Sequence, residues 1–133
     1  MQDIEHLEIV DGVGHYTPKG RVSLVDGVQL VTNAIAHCRT QGTQRLLVDV
    51  RQIHGYSIPT LPDRFWMMHD WAQASAGIVT VAMVAFPQYI DPGKFGVKVG
   101  ADLGLESDIF TSDVLAMEWL MLHGPNASGR SAA

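Results

Sequence analysis

The sequence predicts an α/β domain in which strands alternate with helices, so that a mainly parallel central sheet carries the helices packed on it. Three observations predict this. Residues 44–50 contain Leu46-Leu47-Val48, an apolar run without polar alternation, as expected of a strand covered on both faces. A second such run spans 78–86 and is closed by Pro87. Between them, Thr60-Leu61-Pro62-Asp63 combines a cap residue, a proline in the first turn and an acid at the third helical position, which opens a helix. The whole chain then reads ββαβαβαβα.

The elements follow in order. Residues 6–10 and 13–17 flank the turn Asp11-Gly12 and predict a hairpin, which adds an antiparallel edge to the sheet. Pro18-Lys19-Gly20 breaks it. Ser23 caps a helix running to about Thr40, whose buried face is Leu24, Val28, Val31, Ile35 and Cys38, at steps of four, three, four and three. Gly42 stops it. The central strand follows. The helix opened by Thr60 is predicted to bury Leu61, Phe65, Met68 and Ala72, with Met67 and Trp71 widening that face; Trp66, Asp70 and Gln73 lie opposite, and Gly77 ends it. After the second apolar strand, Asp91-Pro92 caps a helix with Phe95, Val99 and Leu103 on one stripe. Gly93, Gly96 and Gly100 each cost that helix roughly 1 kcal/mol against alanine, and their spacing predicts close approach to a neighbouring element. Residues 105–110 form a last strand. Ser112 caps a final helix carrying Val114, Leu115, Met117, Trp119 and Met121, and 124–133 reads as a flexible tail after a single domain over 1–123.

Composition excludes several classes. The chain has 133 residues, 47% of them hydrophobic, enough to bury a core unaided, and a net charge of −5 with no Lys/Arg run argues against nucleic-acid or anionic-membrane partners. One cysteine, Cys38, rules out an internal disulfide and a multi-cysteine metal site. The acidic start, Met1-Gln2-Asp3-Ile4-Glu5-His6, is no signal peptide, and no apolar run reaches membrane-spanning length. The expectation is a soluble, cytoplasmic protein with no integral membrane association.

In open α/β sheets, ligands gather at the carboxyl ends of strands. The stretch from Asp49 to Arg64 is therefore the candidate region. Arg51, His54, Ser57, Thr60 and Arg64 could converge on one anion, helped by the free N–H groups of the helix start. The plainer alternative is that the arginines pair with Asp49 or Asp63 and only order the loop. His54 and His69 would need Asp49 or Asp70 within reach to act in acid–base chemistry. The histidines match no zinc pattern, and no phosphate-binding loop or serine-hydrolase elbow is present, so no metal or cofactor is expected. Tyr56, Trp66, Met67, Met68 and Trp71 form an aromatic–methionine cluster: core plus one rim tryptophan, or a binding surface. Trp66, predicted off the core face, is its discriminating residue.

The ordered set Arg45-Leu46-Leu47-Val48-Asp49-Val50-Arg51, Asp63-Arg64-Phe65, Val81-Ala82-Met83-Val84, Lys94-Phe95-Gly96, Gly104-Leu105 and Ala116-Met117-Glu118-Trp119-Leu120 covers nearly the whole chain. It resembles the STAS/SpoIIAA-like superfamily, and more closely its bacterial branch of small stand-alone domains related to CRAL-TRIO lipid carriers. The resemblance implies a four- or five-stranded mixed sheet, a homodimer, no cofactor, and a non-enzymatic regulatory module acting through protein contacts. It also implies phosphorylation of a serine or threonine after the central strand, for which Ser57 and then Thr60 are nearest in position. The flanks differ: Tyr56-Ser57-Ile58-Pro59 has neither the acid before nor the glycine after. The lipid-carrier kinship implies an alternative, a small apolar ligand held beneath the second and third helices. A small hydrolase-type enzyme ranks third, because no nucleophile–base–orienter set can be assembled.

Overall fold

A computed structural model describes residues 4–124. It is an α/β fold. Its five-stranded sheet has the order β1 (Leu7–Val10), β2 (Val13–Tyr16), β4 (Arg45–Asp49), β6 (Thr80–Val84), β7 (Ser107–Phe110), where β3 (Gly20–Arg21) and β5 (Ile53–His54) form a separate two-stranded parallel ribbon. The β1–β2 pair is antiparallel and every other neighbour in the large sheet is parallel. The helices are α1 (Leu24–Thr40), α2 (Leu61–Ser75), α3 (Phe95–Asp102) and α4 (Asp113–Leu122). The mixed, mainly parallel sheet with its antiparallel edge agrees with the expectation. The ribbon is new: two residues per strand carry no periodicity for a sequence to show.

Parallel strands need cover on both faces. On one face, Tyr16, Leu46, Val48 and Val81 pack with α1 residues Val28, Val31, Ile35 and Cys38 and α2 residues Met68, Trp71 and Ala72. On the other, Val13, Leu47, Ala82 and Val84 meet only α4, through Ala116 and Leu120. The buried α1 face is the predicted one, with Ala34 added and Leu24 only half-buried. Burial pushes the Cys38 thiol up to about 11, so it behaves as a small core residue.

Three helix faces differ from expectation. In α2 the buried residues are Met68, Trp71, Ala72 and Ser75, whereas Leu61 and Phe65 are 50% and 44% exposed. The helix is rotated because it must serve two neighbours. The Trp71 indole N–H donates to the Val28 carbonyl of α1 at 3.2 Å, and Met68 faces α3. Ser75 joins the core because its hydroxyl exchanges hydrogen bonds with the Val79 backbone. Trp66, expected off the core face, is half-buried against the core, with its indole N–H donating to Asp63.

In α3 the closest approach is made by glycine, and of the predicted stripe Phe95 and Val99 are half-buried, Val99 against the core, while only Leu103 departs. Leu103 is 42% exposed. A Cβ at Gly100 would stand 2.7 Å from the Met68 methyl, and one at Gly96 3.4 Å from its Cγ, so the expected close approach is to α2. The helix begins later than expected: Lys94 adopts left-handed backbone, and Asp91, four residues upstream, accepts the Phe95 N–H. Gly93 therefore precedes the helix. In α4 the buried residues are Ala116 and Leu120, while Val114, Leu115 and Met121 are exposed and Met117 and Trp119 half-buried. Being apolar on most sides, this helix has no periodicity to set its phase.

Gly124, assigned to the tail, is buried, and its N–H donates to Glu106 at 3.0 Å; the rest of the predicted tail, 125–133, lies outside the described residues.

Gly14 on β2 lets α1 approach the sheet: a Cβ there would lie 3.0 Å from both Cys38 Sγ and Leu46 Cδ1. Gly14→Ala is expected to lower stability by about 1–3 kcal/mol through overpacking. Urea unfolding checks this, and a variant as stable as the parent would show that α1 can move away without cost.

Candidate functional site

The residues singled out after β4 do not gather round one anion. Arg51 is held by Asp49, its guanidinium donating at 3.0 and 2.8 Å and its backbone N–H at 3.0 Å. Thr60 is the α2 N-cap: its hydroxyl accepts the Asp63 N–H while Asp63 accepts the Thr60 N–H, a capping box. His54 is exposed on the β3–β5 ribbon, Ser57 is exposed, and His69 is exposed on α2. Neither histidine has a carboxylate partner among the described residues, which leaves acid–base chemistry there without its second member. The plainer alternative for Arg51, loop ordering, is the observed one.

Arg64 faces elsewhere. With Tyr56, Met67 and Met68 it lines an apolar cavity of about 120 Å³ bounded by α1, α2, α3 and the sheet face bearing Val81 and Met83. Its place beneath the second and third helices is where a small apolar ligand was expected. The wall is built from the facing sides of elements already described: Val28 and Val31 of α1, Trp71 of α2, Val97 of α3 and Ile53 of β5. Gly96 keeps α3 close enough to close one side.

The mouth of the cavity carries the polar groups. The Arg64 guanidinium donates to the Tyr89 carbonyl at 3.2 Å and has no ion pair among the described residues. Lys94 pairs with Asp108 at 2.7 Å, and Asp91 is occupied by the Phe95 N–H. The Tyr56 and Tyr89 rings pack at 5.1 Å between centroids. Burial, then the nearby Tyr89, raises the Tyr56 pKa, so its phenol stays protonated. Elsewhere in the wall, the buried Ser107 hydroxyl has no hydrogen-bond partner among the described residues.

Of the predicted residues, the structure thus brings Tyr56, Arg64 and Met67 to one cavity and leaves Arg51, His54, Ser57 and Thr60 outside its lining. Tyr89, Asp91, Lys94 and Asp108 were missed. For Tyr89, Asp91 and Lys94 the signal was the same one used for Asp49 to Arg64: residues 85–94 follow the carboxyl end of the second apolar strand; Asp108, inside the last strand, had none. Ser107 had no signal, being one polar residue in a short strand.

A second, open groove of about 750 Å³ runs between α4 and strands β2 and β4, past Asp49, Asp113 and Glu118. No group of three His, Cys, Asp or Glu among the described residues could hold a metal ion, and none of their helices is long and apolar enough to cross a membrane. No protein-family model matches the chain, and no curated protein is similar to it in sequence.

Burial opposes ionisation of Asp49, but the hydrogen bonds and charge of Arg51 outweigh it and hold the carboxyl below its ordinary value. Because the folded value is the lower one, the pair stabilises the protein fully above the unfolded value of about 3.9, and this is lost as pH falls through the folded value. Asp49→Asn is expected to cost about 1 kcal/mol near pH 7, allowing for partial exposure of the pair. The gap from wild type should close below about pH 4. Urea midpoints from pH 7 to pH 2 read it; a gap independent of pH would mean the pair is not its source.

Proposed function

We propose that the protein is a non-enzymatic binding protein whose ligand is a small, mainly apolar molecule held beneath α2 and α3. The observation that carries this reading is the half-open apolar cavity with its polar mouth. Close-packed interiors rarely leave such a void, and an apolar cavity on the order of 150 Å³ accepts a benzene-sized molecule. At about 120 Å³ the space suits one ring or a short chain, not the long acyl tails that kinship to lipid carriers would suggest. Soft walls of Met67, Met68 and Met83 beside Trp71 and Tyr56 favour an aromatic guest. The STAS-like resemblance is compatible with this role.

A second reading, a protein-contact module, is favoured by one observation: Ile58, Leu61 and Phe65 are all about half exposed beside Ser57 at the start of α2. Such a patch would serve a homodimer or a regulatory partner. On this reading Phe65→Ser shifts the oligomeric state seen by analytical ultracentrifugation and leaves ligand binding alone; an unchanged sedimentation coefficient counts against it.

The cavity is tested by filling it. Met83→Trp projects extra volume into the space from β6. Toluene, titrated by NMR, is expected to perturb methyl groups of Val28, Val81 and Met68 in the wild type and to bind at least tenfold more weakly to the variant, with circular dichroism unchanged. Equal affinity for both proteins, or no perturbation in the wild type, would remove this reading.

A further inference from the structure

Resting on the cavity as a binding site, we infer that its ligand is a small aromatic acid bearing a second polar group on the ring. The argument comes from which polar atoms around the cavity are satisfied and which are not.

At the mouth, three of the four charged groups are accounted for. Lys94 and Asp108 neutralise each other, and Asp108 also accepts the Ile109 N–H. Asp91 caps α3. Arg64 remains. It is half-buried, and its single hydrogen bond goes to a neutral carbonyl, although a guanidinium offers five donors. Neighbouring Asp63 feels its charge, but the Asp63 oxygens are engaged by the Thr60 N–H and the Trp66 indole. A half-buried cation with no direct ion pair among the described residues, at the edge of an apolar space, suits a carboxylate, which accepts two parallel N–H bonds from arginine.

In the same lining, the Ser107 hydroxyl is buried with no partner among the described residues. Ser107 pairs in register with Val81, roughly 10 Å along the sheet from Val84, where β6 ends. Its neighbours in the wall, Val81 and Leu105, are apolar. A buried hydroxyl left unpaired is destabilising, and few native structures keep one without a use. A hydroxyl or carbonyl on the ligand would pair with it. Between these two polar points the wall is methionine and aromatic, and the volume is that of one ring.

Four probes separate this inference from the reading beneath it: toluene, benzoate, phenol and 4-hydroxybenzoate, each titrated by NMR or calorimetry. Benzoate is expected to bind more tightly than toluene, and 4-hydroxybenzoate more tightly than benzoate. Arg64→Gln should weaken benzoate roughly ten- to a hundredfold and leave toluene and phenol unchanged. Ser107→Ala should erase the advantage of 4-hydroxybenzoate over benzoate. It should also raise the melting temperature of the free protein by a few degrees, since it removes an unpaired buried hydroxyl. That combination, weaker binding in a more stable protein, is not produced by a merely structural serine. If toluene binds but benzoate gains nothing from Arg64, or 4-hydroxybenzoate gains nothing from Ser107, the inference is overturned and the apolar site stands. If toluene does not bind, the site itself is wrong.

Discussion

Parallel pairing of β4 with β6 is the constraint on which the rest depends. Five residues of each strand are in register, from Arg45 with Thr80 to Asp49 with Val84. Parallel neighbours cannot be joined by a tight turn, so the chain must leave the end of one strand, cross a face and return. The crossing segment is α2. Its side chains alternate duty between α1, through Trp71, and α3, through Met68. The same register sends Leu46, Val48 and Val81 to one face and Leu47, Ala82 and Val84 to the other. One face carries three helices, the other only α4. The cavity lies on the crowded side, where three helices must meet a twisted sheet and do not fill the space between them.

Charge is arranged in the same economical way. Ion pairs and caps at Arg51–Asp49, Lys94–Asp108, Thr60–Asp63 and Asp91–Phe95 order the loops at the carboxyl ends of the strands. The two ion pairs neutralise their charges, and the two caps anchor the Asp63 and Asp91 carboxylates to backbone N–H groups. Arg64 and Ser107 lie outside this scheme, both in the lining of a single apolar space.

Much of this was legible from residues alone. Helix α1 could be read from one strict stripe, Val28 to Cys38, because the sheet and α2 meet it along a single face. Strands β4 and β6 could be read from their unbroken apolar runs, because both faces are covered. The phase of α2 was misread because Phe65 and Leu61 are larger and more apolar than Ser75, yet Ser75 is the residue with a partner waiting, the Val79 backbone. Hydrophobic size predicts burial only where tertiary contacts do not impose another rotation. The site was half legible. The loop after β4 supplied Tyr56 and the start of α2 supplied Arg64, but a cavity belongs to no single segment. Its volume depends on how closely α3 approaches α2, which the glycine spacing suggested without naming Met68 as the residue approached.

The two-residue ribbon of β3 and β5 holds part of the cavity wall. Ile53 of the ribbon is part of the cavity wall, and the ribbon holds it with Gly20 and Arg21 from a distant part of the chain. So short a pairing, outside the main sheet, opens at far lower free energy than the sheet itself. Residence time in the cavity would then follow the breathing of this ribbon, measurable as amide exchange at Val22 and Gly20, and not the global unfolding rate. A rigid sheet beside a loosely latched side wall lets one small fold stay folded while that wall opens.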